Sequence, residues 1–296
     1  MKLSVVLAVR NEETNLDACL SSIKDIADEI VIVDEHSTDK TVEIAKKYGA
    51  RVYEEPHHEI FHITKQKALD LAKGEWILQL DADEIITPEL AKEIVEIVNA
   101  DNLAIDEITN SKFNDPKNEK KSKLFRRHEK IIEQRDSSIG VKNGELVAFF
   151  IPRVNLFLGK PLIHAGVYPD PAIRLVKNGK AHFGLKSVHD IMQVDGRVSW
   201  LFNDMLHNDS PTLSKYIMRL NRYTDLHAKE LKDRNAPKSF GYLLYYSVFK
   251  AKMKFLSLYI RHKGFEDGIR GFLWSMFSAW HYPIAYFKYW TGENNK

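Results

Sequence analysis

Two carboxylates one residue apart close an apolar run, Trp76-Ile77-Leu78-Gln79-Leu80-Asp81-Ala82-Asp83-Glu84. Side chains alternate faces along a strand, so Asp81 and Asp83 are expected to leave its end on the same side. Two carboxylates aimed at one point repel each other unless a cation sits between them. Hard oxygen donors of this kind suit Mg²⁺ or Mn²⁺, with a substrate phosphate completing the coordination. A D-x-D pair alone also fits a plain solvated strand end. What sets this one apart is its company: two earlier apolar runs also end in polar groups, Arg10-Asn11-Glu12-Glu13 and Asp34-Glu35-His36-Ser37-Thr38-Asp39-Lys40-Thr41.

The elements that must position these groups alternate along the first hundred residues. Strands are expected at Leu3 to Val9, Glu29 to Val33, Arg51 to Tyr53 and Glu75 to Leu80. Helices are expected at Glu13 to Ile26, Thr41 to Tyr48 and Thr64 to Ala72, the last stopped by Lys73-Gly74. Strands that are apolar throughout and separated by helices imply a parallel sheet covered on both faces, with ligands at the carboxyl ends of the strands. Ser37 to Thr41 reads as helix capping. Asp34, directly at a strand end, reads instead as an acceptor for a uracil N3–H or a ribose hydroxyl. The cluster His57-His58-Glu59-Ile60-Phe61-His62 lacks the H-E-x-x-H order and reads as a polar loop. Neither G-x-x-x-x-G-K-[ST] nor G-x-G-x-x-G occurs, so P-loop and dinucleotide chemistry are unsupported.

At 296 residues and 44% hydrophobic content, the chain is long enough to bury a full core. A net charge of +2 argues against bulk nucleic-acid binding. The single cysteine, Cys19, excludes an internal disulfide and is expected to pack on a helix face. The first apolar run is too short for a signal peptide, which places the protein in the cytoplasm as an expectation.

The order V-x-V-R-N-E-E, I-V-D-E-x-S-T-D-x-T and K-G-E-W-I-L-x-L-D-A-D-E resembles family 2 inverting glycosyltransferases of the GT-A fold. Ile151 to Lys160, Tyr168 to Leu175, Val188-His189-Asp190, Leu206-His207, Arg219 to Thr224, Gly264 to Gly268 and Gly271-Phe272 are similar to the branch that glucosylates the lipopolysaccharide inner core. The resemblance implies an α/β GT-A fold: a mostly parallel nucleotide-binding sheet flanked by helices, with a helical C-terminal extension. It implies a nucleotide-sugar donor, UDP-glucose by default, a saccharide or lipid-linked acceptor, and Mg²⁺ or Mn²⁺. Ala8, Arg10, Glu12, Asp34, Lys65, Asp81, Ala82 and Asp83 would line the donor site, and Asp83 and His207 would hold the metal. Inversion needs one base to take the acceptor proton. Asp190 is favoured for it, although the family's usual V-H-E carries the longer glutamate; Asp170 in Tyr-Pro-Asp-Pro is the competitor.

The implied organisation is a glycosyltransferase domain over residues 1–235, made of a nucleotide-sugar half (1–100), a charged insertion (101–147) and an acceptor half (148–235). Residues 236–296 form an aromatic-rich helical extension. The insertion departs from the family pattern. Its interleaved lysines, arginines and acids read as a solvated run, disordered or an exposed helix. The extension has no clean membrane-spanning stretch of about 20 apolar residues. Its aromatics and flanking cations suit helices lying in a bilayer interface, hence peripheral contact with the inner face of a membrane. A packed helical cap or a homodimer contact are the alternatives. Two other function classes use similar parts: a D-x-D phosphotransferase of the haloacid dehalogenase type, and a non-catalytic membrane-surface binder. The first places its pair after the opening strand, whereas three strands precede it here.

Overall fold

The computed structural model describes residues 1–58, 60–136, 139–184 and 192–292. They fall into two compact units. One comprises Met1–Arg153 and Pro169–His207, the other Val154–Tyr168 and Asn208–Lys296. The boundary expected at residue 235 lies inside the second unit.

The first unit begins with the expected alternation: β1 (Leu3–Val9), α1 (Leu16–Ile23), β2 (Glu29–Asp34), α2 (Thr41–Lys47), β3 (Arg51–Glu54), α3 (His62–Asp70) and β4 (Trp76–Leu80). In chain order, through both units, there follow β5 (Glu84–Ile86), α4 (Pro88–Asn99), α5 (Asn102–Asn114), α6 (Glu119–Asp136), β6 (Leu146–Ile151), β7 (Arg153–Phe157), β8 (Lys160–Pro161), β9 (Ala172–Lys177), β10 (Ala181–Phe183), β11 (Met192–Val194), β12 (Arg197–Trp200) and β13 (Met205–Ser210). A seven-stranded sheet runs β12-β6-β9-β4-β1-β2-β3. Its β1–β2, β1–β4, β2–β3 and β6–β12 pairings are parallel, and β9 runs antiparallel between β4 and β6. The continuous apolar strands are explained by burial on both faces. In β1, Val5, Leu7 and Val9 enter one core cluster while Val6 enters the other; in β2, Ile30 and Ile32 part from Val31 and Val33 in the same way. Cys19 on α1 is fully buried, and its thiol donates to the carbonyl of Asp81 at 3.7 Å.

Of the two readings of the charged insertion, disordered or an exposed helix, the structure shows the helix, with a buried stripe that neither included. The insertion folds as α5 and α6, and Phe125 on α6 is fully buried against Trp200 of β12, with ring centroids 4.2 Å apart and planes 7° from parallel. The Trp200 indole N–H donates to Glu129 at 2.7 Å. Phe125 and Ile132, seven residues apart, supply a narrow apolar stripe. Composition hides such a stripe because charges fill the rest of the circumference.

The second unit pairs β7 with β8 antiparallel, through Leu156 with Pro161 and Phe157 with Lys160. It continues with α7 (Leu213–Asp233), α8 (Phe240–Leu244), α9 (Ala251–Leu256) and α10 (Gly268–Thr291), with π-helical turns at Tyr245–Lys250 and Ser257–Arg261. Phe157, Leu162, Tyr216 and Phe277 form one core, and Leu231, Tyr246 and Tyr286 a second. The Lys288 ammonium donates to Asp225 at 2.6 Å and to the Asn221 carbonyl at 2.9 Å, tying α10 to α7. Among the described residues, no helix is long and apolar enough to cross a membrane.

Candidate functional site

The strand-end corner after β4 is built differently from the sequence expectation. Asp81-Ala82-Asp83 is not a continuation of the strand. It is a turn, closed by the Glu84 amide donating to the Asp81 carbonyl at 3.0 Å. The two carboxylates therefore reach different partners. Asp81 is held by Lys65 on α3 and by Arg174 on β9, each at 2.5 Å. Asp83 faces the imidazole Nε2 of His207 at 3.4 Å. Register explains the second contact: β5 pairs antiparallel with β13, and His207 lies opposite Glu84.

Glu84 anchors the corner. It is fully buried, accepts from Arg174 at 2.6 Å and from Arg153 at 3.1 Å, and takes the Asp81 amide at 2.9 Å. The Arg174 guanidinium also donates to Gln79. Buried charges persist only when paired, and here carboxylates face the buried cations at hydrogen-bond distance. Burial alone would push the Asp81 carboxyl up, but Arg174 and Lys65 hold it well below the usual carboxylate range. For Asp83 burial is likewise opposed, by the hydrogen bond and charge of His207, and the net shift is downward. Burial pulls His207 down, yet the hydrogen bond to Asp83 carries it net above its ordinary value.

Sequence reading missed the roles of Glu84, Arg174 and Arg153. The signal was present for Arg174: an arginine inside the apolar strand Ala172-Ile173-Arg174-Leu175-Val176 must meet an acid. Lys65 and Arg174 also line a cavity of about 190 Å³, together with His62, Arg135, Ile173 and Phe183.

The loops after β1 and β2 are laced together. Asn11, at φ 53°, donates its amide to the Ser37 hydroxyl at 2.8 Å and accepts the Thr38 amide at 2.8 Å. The Glu12 amide donates to the Thr41 hydroxyl at 2.7 Å, and its carboxylate accepts from Asn15 at 2.9 Å. Asp34 lies apart from the helix cap, since α2 begins only at Thr41. It accepts the Ser37 amide at 2.9 Å and the Ser37 hydroxyl, so it organises the turn that follows it. A carboxylate retains further acceptor positions. The neighbouring Glu35 is buried and bonded to His57 at 2.6 Å and to Thr64. Ala8 and Ala82 are buried, and Arg10 is exposed. The structure thus gathers Lys65, Asp81, Asp83 and His207 at one corner and gives Glu12 and Asp34 to the neighbouring loops.

Of the two candidate bases, Asp190 lies outside the described residues. Asp170 adopts φ 39° between its prolines, and its carboxylate pairs with Arg153 at 2.9 Å. The donor set at Asp83 and His207, one carboxylate oxygen and one imidazole nitrogen, fits Mn²⁺ and accommodates Mg²⁺ less well. Among the described residues there is no cluster of three or more His, Cys, Asp or Glu that could hold a metal.

The chain is 40% identical over 102 residues to an uncharacterized glycosyltransferase of Rickettsia bellii (strain RML369-C), a match covering 34% of each chain. It thus spans about a third of that relative's length. Lipopolysaccharide core biosynthesis glycosyltransferase LpsC of Rhizobium meliloti (strain 1021) is 24% identical over 286 residues, covering 94% of this chain and 88% of that one. A solved structure of glucosyl-3-phosphoglycerate synthase from Mycobacterium tuberculosis, in complex with Mn²⁺ and uridine-diphosphate-glucose, shares 28% identity over 28% of this chain and 34% of that one. Its TM-score of 0.26 is too low to carry a structural argument. Residues 4–152 match the sequence profile of Glycosyl transferase family 2, half of the chain, and the protein belongs to that family.

Proposed function

We propose that the protein is a metal-dependent inverting glycosyltransferase that moves a sugar, glucose from UDP-glucose by default, onto a saccharide or lipid-linked acceptor of the cell envelope. The observation that carries this is the corner itself: Asp83 faces His207, while Asp81 beside it is already neutralised by Lys65 and Arg174. Asp83 and His207 would hold the divalent cation, whose chemistry is to stabilise charge on the departing diphosphate. Asp81 is fixed in place for a ribose hydroxyl or a metal-bound water. Lys65 and Arg174 keep its charge from repelling an incoming diphosphate. Ala8, Arg10, Glu12, Asp34 and Ala82 are assigned to the nucleoside side on their positions in the family's motifs. Asp190 takes the acceptor proton. The ion pair with Arg153 supports a positioning task for Asp170, because the contact engages its carboxylate and holds it in place. The same ion pairing argues against a phosphotransferase, since Asp81 is a poor nucleophile with both oxygens engaged.

The length-spanning similarity to a lipopolysaccharide core glycosyltransferase supports an envelope acceptor. Peripheral membrane contact is supported by large apolar side chains exposed in the second unit, among them Phe240, Phe249, Ile269 and Trp280.

Asp83→Ala is expected to abolish Mn²⁺-dependent UDP binding and leave the fold intact. Isothermal titration checks this, and undiminished metal-dependent binding in the variant defeats the metal assignment. For the membrane arm, full-length protein should sediment with phosphatidylglycerol vesicles at low salt and be released at high salt; protein that stays in the supernatant at low salt removes that contact.

A further inference from the structure

A cavity of about 350 Å³, the size class of a small-molecule site, lies within the second unit. Its wall is aromatic, formed by Tyr216, Tyr223, Trp274 and Tyr282. Tyr216 and Trp274 approach with ring centroids 5.5 Å apart. The hydroxyls of Ser210 and Ser278 also reach the lining.

The charges in this cavity do not balance. Arg219 is matched, donating to the carboxylate of Asp209 and to its carbonyl at 2.8 Å. Lys254 is half-buried, and among the described residues no carboxylate pairs with it. His281 contributes no charge at neutral pH. Its Nε2 lies 2.9 Å from His227 Nδ1, and burial, then His227, Lys254 and Lys288, push it down to about 4. Two cations against one carboxylate leave one positive charge in a partly dry, ring-lined space.

Each alternative occupant leaves something unmatched. A purely apolar ligand would desolvate the Lys254 ammonium without replacing its water. A neutral sugar would stack but leave the charge unanswered. A phosphate monoester brings about two negative charges against one. We propose that this cavity binds an acidic saccharide, a sugar ring bearing a single negative charge, with the ring on the aromatic wall and the acid on Lys254. Pyranose C–H groups are drawn to the negative faces of the tyrosine and tryptophan rings, and the serine hydroxyls complete the hydrogen bonding. The site stands independently of the donor corner.

The test uses the full chain and an isosteric pair of probes, methyl β-glucuronide and methyl β-glucoside, titrated while tryptophan fluorescence is read. The glucuronide should bind at least about tenfold more tightly than the glucoside, the worth of one charge-assisted hydrogen bond. Lys254→Gln should abolish that preference, and Lys254→Arg should retain it. Mn²⁺-dependent UDP binding should be unchanged in both variants, which separates this site from the donor corner. Equal affinity for the two probes, an undiminished preference in Lys254→Gln, or no saturable binding of the glucuronide to the unmodified chain would each overturn the proposal.

Discussion

The corner after β4 and the cavity of the second unit both hold cations partly or wholly withdrawn from water, and they treat them in opposite ways. In the corner, Lys65, Arg153 and Arg174 are each met by Asp81, Glu84 or Asp170. In the cavity, no carboxylate among the described residues pairs with Lys254. The difference separates two uses of buried charge. A balanced cluster is scaffolding: it fixes the turn that carries Asp83. An unbalanced one carries an unfavourable desolvation that a ligand of opposite charge relieves.

The sharpest way to break this comparison is to remove one cation from each region. Arg174→Met leaves Asp81 with Lys65 alone and Glu84 with Arg153 alone, removes the partner of Gln79, and should destabilise the protein by about 3–5 kcal/mol. Lys254→Gln should change stability by no more than about 0.5 kcal/mol, or raise it, because burial already disfavours the ammonium. Urea midpoints read both, and equal losses would erase the distinction. A second test asks which acid works and which only pairs. Asp190→Asn should cut transfer by about a hundredfold or more while keeping Mn²⁺-dependent UDP affinity. Asp170→Asn should be milder and act on acceptor use; the reverse result exchanges their roles. The smallest effect is the dependence on pH. The folded pKa of His207 is raised, so its contact with Asp83 stabilises fully below the ordinary value and is lost as pH rises through the raised one. Metal binding needs the neutral ring. Mn²⁺-dependent UDP affinity should therefore weaken by up to about tenfold per pH unit below that raised value. Flat affinity between about pH 8 and about pH 6 would take His207 out of the ligand set.

The alternation of β1 to β4 with α1 to α3 was legible because each strand is apolar on both faces and each helix ends in a stop signal. Asp83 and His207 could be named from motif order, although their approach depends on a strand pairing between residues 84 and 207 that local pattern does not encode. The turn at Asp81 to Asp83 was not legible. An apolar run followed by D-x-D reads equally as a longer strand, and only the buried partners of Glu84 fix the bend. Asp34 could be separated from capping because it sits on the strand; that its side chain reaches forward to Ser37 was not legible. The buried stripe of α6 was obscured by its charges, since two buried residues on one face, Phe125 and Ile132, barely alter its composition.

Cys19 gives the corner a further property. It is the chain's sole thiol, wholly enclosed between α1 and the sheet and bonded to the carbonyl of Asp81. Burial, then the charges of Glu84, Asp83 and Asp81, push its ionisation up, so the reactive thiolate is scarce in the closed state. An alkylating reagent meets it only when α1 lifts away. Its labelling rate is therefore a clock for local opening behind the carboxylate turn, and an occupant that steadies Asp81 slows that clock.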